Sequence, residues 1–400
     1  MTVQFVCDAC GSTDTIPGGV RCSCGEPYWV DTDPTDFEWP EAGERSLWRY
    51  RALLPSIPQD HIGGGAGGTP LVRLPRLDDE VGGARVHVKY EGSNPTGTFK
   101  DRGSAVGIVG ACADGAAAIG TVSHGNMARS VAAHAASAGF DCVVCVPADI
   151  PAERLTDIAR HGPTIVRVAG EYSCLYEETL RVGPKHEIRF VNSDTPLRVA
   201  GQKTATLEIL ESFAPETPDA IVVPTSSGGH ASAAWKAIRE ATAAGLLDTP
   251  PELYLAQAAQ CAPIAEAYAR GDSEVSPVRG GETVAYSIAN PDPPSGNRAL
   301  RAARATGGGA LALEDKAILD ARRTLSELAG LFVETSSATS LATARDLAAD
   351  GQLGPDDDVV LVATGMGYTE RSVGETTTVD PISTSLDNLD DTFAEMTSDR

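Results

Sequence analysis

Lysine is scarce in this chain of 400 residues, which contains only six, and basic residues as a whole are in the minority. Lys and Arg number 32 against 55 Asp and Glu, so the formal net charge is −23. A surface this negative repels phosphate backbones and anionic lipid headgroups, which argues against nucleic acid and membranes as partners. An acidic excess with few lysines is also typical of proteins that function in concentrated salt, where self-repulsion is screened, and it predicts a halophilic protein.

Two further absences bear on the compartment. The first residues include no basic region followed by an apolar run, and no apolar stretch approaches the length of a membrane span. Neither a signal peptide nor a transmembrane helix is therefore expected. The nine cysteines are an odd number and lack the spacing of a secreted disulfide framework. Together these features predict a cytoplasmic protein.

Four of the cysteines form two closely spaced pairs near the N-terminus, Cys7 with Cys10 and Cys22 with Cys24. Two such pairs on short turns can place four thiolates tetrahedrally around zinc, which stabilises a segment too small to have its own core. Because four thiolates leave no open coordination position, the predicted role of this zinc is structural. The alternative is four unrelated free cysteines.

The rest of the chain alternates apolar, β-rich runs with stretches of helical apolar spacing. Runs this apolar predict strands that are covered on both faces, as in the parallel sheets of α/β proteins. The predicted strands are residues 85–90, 117–122, 142–147, 165–168, 188–192, 220–224, 253–257 and 359–364. The predicted helices are residues 127–138, 152–160, 202–213, 231–244 and 314–329.

Composition divides the chain into parts of different character. Four hundred residues are enough for a large core and more than one domain. The C-terminal residues are rich in Thr, Ser and Asp with few apolar anchors, which predicts a disordered acidic tail. The expected organisation is a zinc-ribbon-like segment at 1–30, a linker at 31–62, a catalytic body at 63–375 with a smaller movable subdomain near 103–188, and the tail at 376–400.

Lys100 lies between a turn-forming, hydroxyl-rich loop at residues 94–98 and a predicted helix. A lysine amine can lose its proton when it is desolvated, whereas a guanidinium cannot, so a lysine suits Schiff-base chemistry. Residues 91–103 resemble the cofactor-lysine motif of the threonine synthases, within the fold-type-II pyridoxal-phosphate (PLP) enzymes. The resemblance implies that Lys100 binds the cofactor covalently.

Further motifs follow in the order of that family. Residues 123–128 resemble its Ser-Thr-Gly-Asn-Thr-Ser loop, in which amides at a helix N-terminus approach the substrate carboxylate. The resemblance implies that Ser123 and His124 contact the substrate and that Asn126 donates to the 3′-oxygen of the cofactor. The alternative for a Gly-Asn pair on its own is a plain capped turn.

Two more motifs resemble phosphate-binding loops of the family. Residues 192–204 match its Asn-Ser, Arg and Gly-Gln-Lys-Thr pattern, which implies that Asn192, Ser193 and Arg198 bind the substrate phosphate. A solvated surface arginine is the alternative. Residues 222–231 open a helix after a strand, and by resemblance their small residues bind the phosphate of PLP. The implied ligands are Ser226, Ser227, Gly228, Gly229 and His230.

The last two motifs lie near the C-terminal end of the predicted body. Residues 332–341 resemble the family's Phe-Val-Glu-Pro-Ala-Ser segment beside the cofactor ring, for which packing is the expected role of most residues. Residues 363–367 resemble its Thr-Gly-His-Gly segment, with Met366 in place of the histidine. Thr364 is the implied hydrogen-bond partner of the pyridine nitrogen, where a hydroxyl affects the ring less strongly than a carboxylate would.

The resemblance covers residues 66–370, and the cysteine pairs extend it to archaeal-type members with an N-terminal zinc ribbon. It implies a tryptophan synthase beta-like α/β fold with two parallel-sheet domains. It also implies PLP as cofactor, structural zinc, and conversion of O-phospho-L-homoserine to L-threonine with Lys100 as the base. A homodimer is the expected assembly, although no motif supports it.

One departure concerns the substrate. The family usually has a hydroxyl where this chain has Met127, and a thioether cannot donate a hydrogen bond to phosphate. Three alternatives follow: a cysteate synthase that uses phosphoserine, a threonine dehydratase, and a catalytically inactive zinc-ribbon binding protein. Retention of Asn192, Ser193 and Arg198 favours a phosphorylated substrate over free threonine.

Overall fold

The structure, a computed structural model, describes residues 3–15, 21–41, 43–57, 65–170, 172–370 and 381–398. It comprises two units, Met1–Glu370 and Arg371–Arg400. The predicted boundaries at 62 and 375 lie outside the described residues, and the division of the first unit into segment, linker and body stays a prediction. Among the described residues, no helix is long and apolar enough to cross a bilayer.

The β-strands of the described residues are short, and most lie where the apolar runs predict them. In chain order they are β1 (Phe5–Val6), β2 (Thr13–Asp14), β3 (Trp29–Val30), β4 (Leu71–Arg73), β5 (Arg85–Tyr90), β6 (Ala118–Val122), β7 (Asp141–Pro147), β8 (Thr164–Val168), β9 (Ile188–Phe190), β10 (Ala220–Pro224), β11 (Glu252–Ala258), β12 (Gly309–Leu313) and β13 (Asp358–Ala363).

The α-helices alternate with these strands. In chain order they are α1 (Lys100–Ala113), α2 (Asn126–Ser137), α3 (Ala152–Ala159), α4 (Tyr172–Val182), α5 (Pro196–Gln202), α6 (Thr204–Phe213), α7 (Gly229–Ala243), α8 (Pro263–Arg270), α9 (Gly296–Ala305), α10 (Asp315–Ala329), α11 (Thr339–Ala349) and α12 (Leu389–Ser398).

The larger sheet has the strand order β12-β11-β10-β13-β5-β4, and all its neighbours are parallel except β4, which is antiparallel to β5. Both faces of its central strand β10 are buried. Ile221 and Val223 pack in one apolar cluster, whereas Val222 packs in another on the opposite face. This two-sided burial is the reason that the strand is an uninterrupted apolar run in the sequence.

The smaller sheet has the order β8-β7-β6-β9 and is entirely parallel. Cys142 and Cys145 are both buried on β7, and they belong to different apolar clusters. Successive strand residues point to opposite faces, so two thiols three positions apart face away from each other. These two cysteines are therefore packing residues of the sheet.

The N-terminal residues form a three-stranded antiparallel sheet of order β2-β1-β3. Phe5 and Cys7 pack in one apolar cluster with Val106 and Val109 of α1. In addition, the buried carboxylate of Asp8 forms ion pairs with two arginines of α9. The cysteine-containing segment is thus joined to the rest of its unit by both apolar and ionic contacts.

The structure differs from the prediction of a disordered tail over 376–400. Residues 371–380 lie outside the described part of the chain, but α12 is a helix, preceded by a 3₁₀ turn at Leu386–Asn388. Leu386, Leu389, Phe393 and Met396 recur at helical spacing there, although all four side chains are exposed. Acidic residues in the first turn of α12 also complement the positive end of the helix dipole.

Candidate active site

Lys100 is the first residue of α1, and the loop before it is tied to the end of β13. The amide of Phe99 donates to the carbonyl of Thr364 (2.9 Å), and the amide of Met366 donates to the carbonyl of Gly97 (2.9 Å). Gly97 has a φ of +78°, a backbone conformation that favours glycine. These bonds hold the lysine at the carboxyl end of the larger sheet, where parallel α/β folds place their ligands.

The amine of Lys100 is desolvated and has no carboxylate within ion-pair distance among the described residues. Burial and the positive charge of Arg198 together lower its pKa to about 7, although the negative charge of Glu334 opposes the shift. Its nitrogen lies 4.3 Å from the centroid of the Phe99 ring. An amine in this state is a nucleophile and a base near neutral pH.

Glu334 is a buried carboxyl group beside this lysine. Asn126, the first residue of α2, donates to one Glu334 oxygen at 2.5 Å. Burial raises the pKa of Glu334 to about 7 despite that hydrogen bond. A side chain at Gly365 would begin 2.6 Å from the other Glu334 oxygen, so only glycine leaves room for the carboxyl group. Two groups that titrate near neutrality therefore lie together at the end of β13.

Glu334 is not among the site residues predicted from the sequence. Its segment resembled a family motif, but packing was the role expected there. The usable signal was an acidic residue placed between an apolar pair, Phe332 and Val333, and a run of hydroxyl residues. An acid in such a setting is buried, and burial is what shifts its pKa.

Residues 226–229 form a turn between β10 and α7 whose amides precede the helix N-terminus. Gly228 has a φ of +81°, and a Cβ there would lie 2.5 Å from the carbonyl oxygen of Ser295. The amide of Ser295 in turn donates to the carbonyl of Ser227 at 2.9 Å. A glycine-dependent turn that opens a 15-residue helix has the form of an anion-binding nest, with the hydroxyls of Ser226 and Ser227 as further donors.

His230 follows this nest and lies next to the lysine loop. Its ring stacks on Phe99 with a centroid distance of 4.2 Å. Burial lowers the pKa of His230 to about 3, so the ring is neutral at any physiological pH. A neutral imidazole packs against its neighbours, but it brings no positive charge to a phosphate.

Thr364 directly follows β13 and is buried. Its hydroxyl lies 2.9 Å from the Ser337 hydroxyl, which also accepts a hydrogen bond from the amide of Gly365 at 3.1 Å. Ser337 belongs to the 3₁₀ turn Thr335–Ala338 that leads into α11. The hydroxyl of Thr364 is therefore held at a defined position next to the Glu334 segment.

Arg198 lies on α5 and is fully buried, so the alternative of a solvated surface arginine is wrong. It donates from Nη1 to the Ser104 hydroxyl (2.9 Å), and its Nε and Nη2 have no hydrogen-bond partner among the described residues. Burial lowers its pKa to about 10. Gly103 and Gly107 of α1 face its side chain and allow the two helices to approach closely. Donors left free on a buried cation are suited to an anionic ligand.

The remaining nominated residues lie on loops that follow the strands of the smaller sheet. The side-chain oxygen of Asn192 accepts from the amide of Val122 at 2.9 Å, which joins the loops after β9 and β6. Ser193 lies against the start of α7, because a Cβ at Gly229 would be 3.1 Å from its carbonyl oxygen. His124 stacks loosely on Tyr286 at a centroid distance of 6.2 Å, and the hydroxyl of Ser123 accepts from the amide of the glycine that follows.

Every nominated residue of the catalytic body thus follows the carboxyl end of a parallel strand. These residues lie in the loops after β5, β6, β9, β10 and β13 or in the first turn of the helix that follows: Lys100, Ser123, His124, Asn126, Asn192, Ser193, Arg198, Ser226, Ser227, Gly228, Gly229, His230 and Thr364. This placement is that of ligand sites in open α/β folds.

The four N-terminal cysteines form a separate group in the three-stranded sheet. The sulfur atoms of Cys7, Cys10, Cys22 and Cys24 all lie within 4.8 Å of one another. The closest pairs are Cys7 with Cys24 at 3.6 Å and Cys10 with Cys22 at 3.5 Å. Zn–S bonds of about 2.3 Å in a tetrahedron separate the sulfurs by roughly 3.8 Å, so the group has the dimensions of a four-thiolate zinc site.

Comparisons with known proteins agree with this geometry. A family model described as pyridoxal-phosphate dependent enzyme matches residues 62–365. The chain is 32% identical to a threonine synthase of Methanocaldococcus jannaschii over 95% of this chain and 96% of the relative. It is 35% identical to a threonine synthase of Methanosarcina acetivorans over 80% of this chain and 79% of the relative. A solved structure of maize serine racemase matches with a TM-score of 0.63 at 22% identity, covering 82% of this chain and 92% of that one, which shows a shared fold.

Proposed function

The chain belongs to the threonine synthase family of pyridoxal-phosphate-dependent enzymes, and on this premise we propose that it converts O-phospho-L-homoserine and water to L-threonine and phosphate. It is a PLP-dependent lyase of α/β fold. The observation that carries the proposed substrate is the fully buried Arg198, whose guanidinium has two nitrogen atoms without hydrogen-bond partners among the described residues. A guanidinium with free donors matches a phosphate group, which free threonine lacks.

The residues at the carboxyl end of the larger sheet fit PLP. The nest at residues 226–229 precedes α7 and offers amides to a phosphate, and Gly228 is needed there because a side chain would meet Ser295. Lys100 offers an amine whose pKa burial lowers to about 7. Asn126 and Thr364 offer polar groups beside it. When bound, PLP supplies an electron sink that stabilises negative charge at the substrate carbons.

Lys100 has two roles in the proposed mechanism. Its unprotonated amine would hold the cofactor, and once released, the same nitrogen would remove the proton from the substrate α-carbon. Near neutral pH the lowered pKa of Lys100 keeps a large fraction of the amine in the basic form. A proton then leaves the β-carbon as phosphate departs from the γ-carbon, and the γ-carbon gains a proton to become the methyl group of threonine. Water supplies the hydroxyl group at the β-carbon, and a proton returns to the α-carbon.

Glu334 holds a proton next to these steps. Its pKa, raised by burial to about 7, allows a protonated carboxyl group at the pH where Lys100 is partly neutral. Asn126 donates to Glu334 and receives a hydrogen bond from Arg129, so the carboxyl group is held in one orientation. We propose that this orientation directs Asn126 and the carboxyl group toward the polar edge of the cofactor.

Substrate phosphate is bound in this proposal by the loop after β9 and by α5. Asn192 is buried, and its side-chain oxygen already accepts a hydrogen bond from the amide of Val122. Its side-chain nitrogen has no hydrogen-bond partner among the described residues. Together with Arg198 and the accessible Ser193, it offers donors to one anion. Met127 is buried in the apolar cluster of the smaller sheet and adds no donor, and loss of such a hydrogen bond weakens anion binding by about 1.5–3 kcal/mol.

The cysteine group fits a structural zinc ion. Four sulfur atoms within 4.8 Å of one another satisfy the coordination number of zinc and leave no position for a substrate. Metal analysis of the purified protein is expected to find one zinc per chain, which is lost in a Cys7→Ser and Cys22→Ser double variant. A chain that is folded and free of metal would contradict this assignment.

The test of the proposed function is product analysis with the PLP-loaded protein in concentrated salt. O-phospho-L-homoserine is expected to yield threonine and phosphate in equal amounts. Sulfite-dependent consumption of O-phospho-L-serine would instead indicate a cysteate synthase, and formation of an oxo acid from threonine would indicate a dehydratase. Saturation with PLP without turnover of any of the three would overturn the proposal.

A further inference from the structure

Arg21 is a side chain of the cysteine-containing segment that reaches two other parts of the chain. Its Nη1 donates to the carbonyl of Gly25 at 2.9 Å. Its Nη2 donates to the Asp194 carboxylate at 2.9 Å and to the carbonyl of Pro294 at 3.2 Å. One guanidinium therefore links the cysteine turn, the loop after β9 and the loop before α9.

The buried charge of Asp194 is compensated by its ion pair with Arg21. Asp194 follows Ser193 directly, and its carboxyl group is almost completely buried. Arg21 is its ion-pair partner, and its second oxygen has no hydrogen-bond partner among the described residues. Removing the partner of a buried carboxylate leaves a charge that must either be neutralised or move toward solvent. Either change would alter the loop that carries Asn192 and Ser193.

Pro294 connects Arg21 to the phosphate nest. The next residue, Ser295, donates its amide to the carbonyl of Ser227 and places its own carbonyl against Gly228. Arg21 thus contacts the neighbours of both proposed phosphate-binding loops, with Asp194 on one side and Pro294 on the other.

The position of Arg21 is set by the cysteine turn. Arg21 precedes Cys22 and pairs with Pro27 across a β-bridge. Within the turn, the amide of Cys22 donates to Glu26 at 2.8 Å and the amide of Gly25 donates to Cys22 at 2.9 Å. A turn fixed by these bonds presents the guanidinium in one direction.

We propose that Arg21 is a positioning residue through which the cysteine-containing segment holds the substrate-phosphate loop, residues 192–198, in its binding geometry. The inference rests on the proposed function, because it assigns phosphate binding to that loop. It predicts that the segment controls substrate affinity, beyond its contribution to stability.

The matched control is Arg301. It lies in the same contact region with similar exposure (32% against 36% for Arg21) and forms ion pairs with Asp8 and Glu26. Within the described part of the chain, none of its hydrogen bonds or ion pairs is to residues 192–198. Both arginines join the cysteine-containing segment to the body. Of these two arginines, Arg21 is the one with a bond to the substrate-phosphate loop. Comparing the two variants therefore distinguishes loss of attachment between segment and body from loss of loop positioning.

The experiment compares Arg21→Ala with Arg301→Ala in the PLP-loaded protein. Arg21→Ala is expected to raise the KM for O-phospho-L-homoserine and the inhibition constant of inorganic phosphate by about tenfold, with kcat and the cofactor absorbance band unchanged. Arg301→Ala is expected to leave both constants unchanged. Asp194→Asn is expected to reproduce the Arg21→Ala effect, and combining the two is expected to add nothing.

Three outcomes would overturn the inference: unchanged constants in Arg21→Ala, an equal rise in Arg301→Ala, or a fall of kcat together with loss of the absorbance band. If the wild type does not turn over O-phospho-L-homoserine, the proposed function fails separately. In that case calorimetric binding of inorganic phosphate decides the inference, with weaker binding to Arg21→Ala supporting it and equal binding contradicting it.

Discussion

Two groups of buried charges lie on and around α1, and they differ in how completely they are paired. In the first group, Arg102 donates to Glu91 at 2.7 Å and to Glu208 at 2.6 Å, and Lys89 donates to Glu208 at 2.6 Å. Although burial opposes it, the charges of Arg102 and Lys89 lower the pKa of Glu208 to about 2. Each of these charges is neutralised by a partner inside the protein.

The second group contains Lys100, Arg198 and Glu334, and none of these three forms an ion pair with another of the described residues. Lys100 lies only two positions before Arg102 on the same helix. Nevertheless, the pKa of Lys100 is lowered to about 7, whereas the pKa of Arg102 is raised and its guanidinium stays charged. The contrast shows that burial alone does not mark a functional residue. A buried ionisable group that the protein leaves unpaired is available to a ligand, whereas a paired one is part of the scaffold.

The largest expected effect is the loss of turnover when Lys100, and not another lysine, is replaced. Lys100→Ala is expected to reduce turnover at least about 10⁴-fold, because the same amine binds the cofactor and moves the proton. The exposed Lys316 serves as the control, and Lys316→Ala is expected to leave turnover unchanged. Initial rates of phosphate release measure both. Retention of more than a hundredth of the activity in Lys100→Ala would contradict the assignment.

Arg102→Met tests the paired group through stability. It leaves the buried carboxylates of Glu91 and Glu208 without their shared partner, so the free energy of unfolding is expected to fall by about 3–5 kcal/mol. Chemical denaturation of the cofactor-free protein measures this loss. A change below about 1 kcal/mol would show that the network is not a structural unit.

Arg198→Ala is expected to have a smaller effect, and on substrate binding. The lost hydrogen bonds to the substrate phosphate correspond to about 1.5–3 kcal/mol, or roughly 10- to 150-fold in kcat/KM. A moderate loss of stability is also expected, because the fully buried side chain packs against α1, although among the described residues its guanidinium has a single hydrogen bond to protein, from Nη1 to Ser104. Steady-state kinetics together with a melting curve check both parts. A large loss of stability with unchanged kcat/KM would place Arg198 in the scaffold group.

The last prediction concerns the pH dependence of stability in Lys100→Met, compared with the wild type in the cofactor-free protein. The pKa of Lys100 is about 7 in the folded state against an ordinary value of 10.5, so the unfolded chain binds more protons between these pH values. Wild-type stability therefore rises relative to the variant as pH increases from about 7 to 10.5. Below pH 7 both states are protonated and the difference is constant. Unfolding measured at pH 6, 8 and 10 tests this, and a pH-independent difference would contradict the shifted pKa.

The sequence predicted strands β5–β11 and β13 and the motif loops, because both depend on local patterns, but it gave no strand at β1–β4 or β12. Uninterrupted apolar runs marked the buried strands, and each nominated loop followed one of them. What it missed depends on contacts between distant residues. Arg21 and Asp194 are 173 positions apart, and neither lies in a recognised motif position. Likewise, no pattern around Glu334 shows that Asn126 and Lys100 lie beside it, and these neighbours together with burial determine its pKa.

The central claim is that ionisable groups without ion-pair partners form the cofactor site. Its most direct test is to find which lysine binds the cofactor. The PLP-loaded protein is reduced with borohydride, digested, and mapped by mass spectrometry. We expect the pyridoxyl group on Lys100 alone among the six lysines. Lys89 and Lys203 are buried more completely than the half-buried Lys100, but each is paired with a carboxylate and is expected to stay unmodified. Modification of either of these in place of Lys100 would contradict the account.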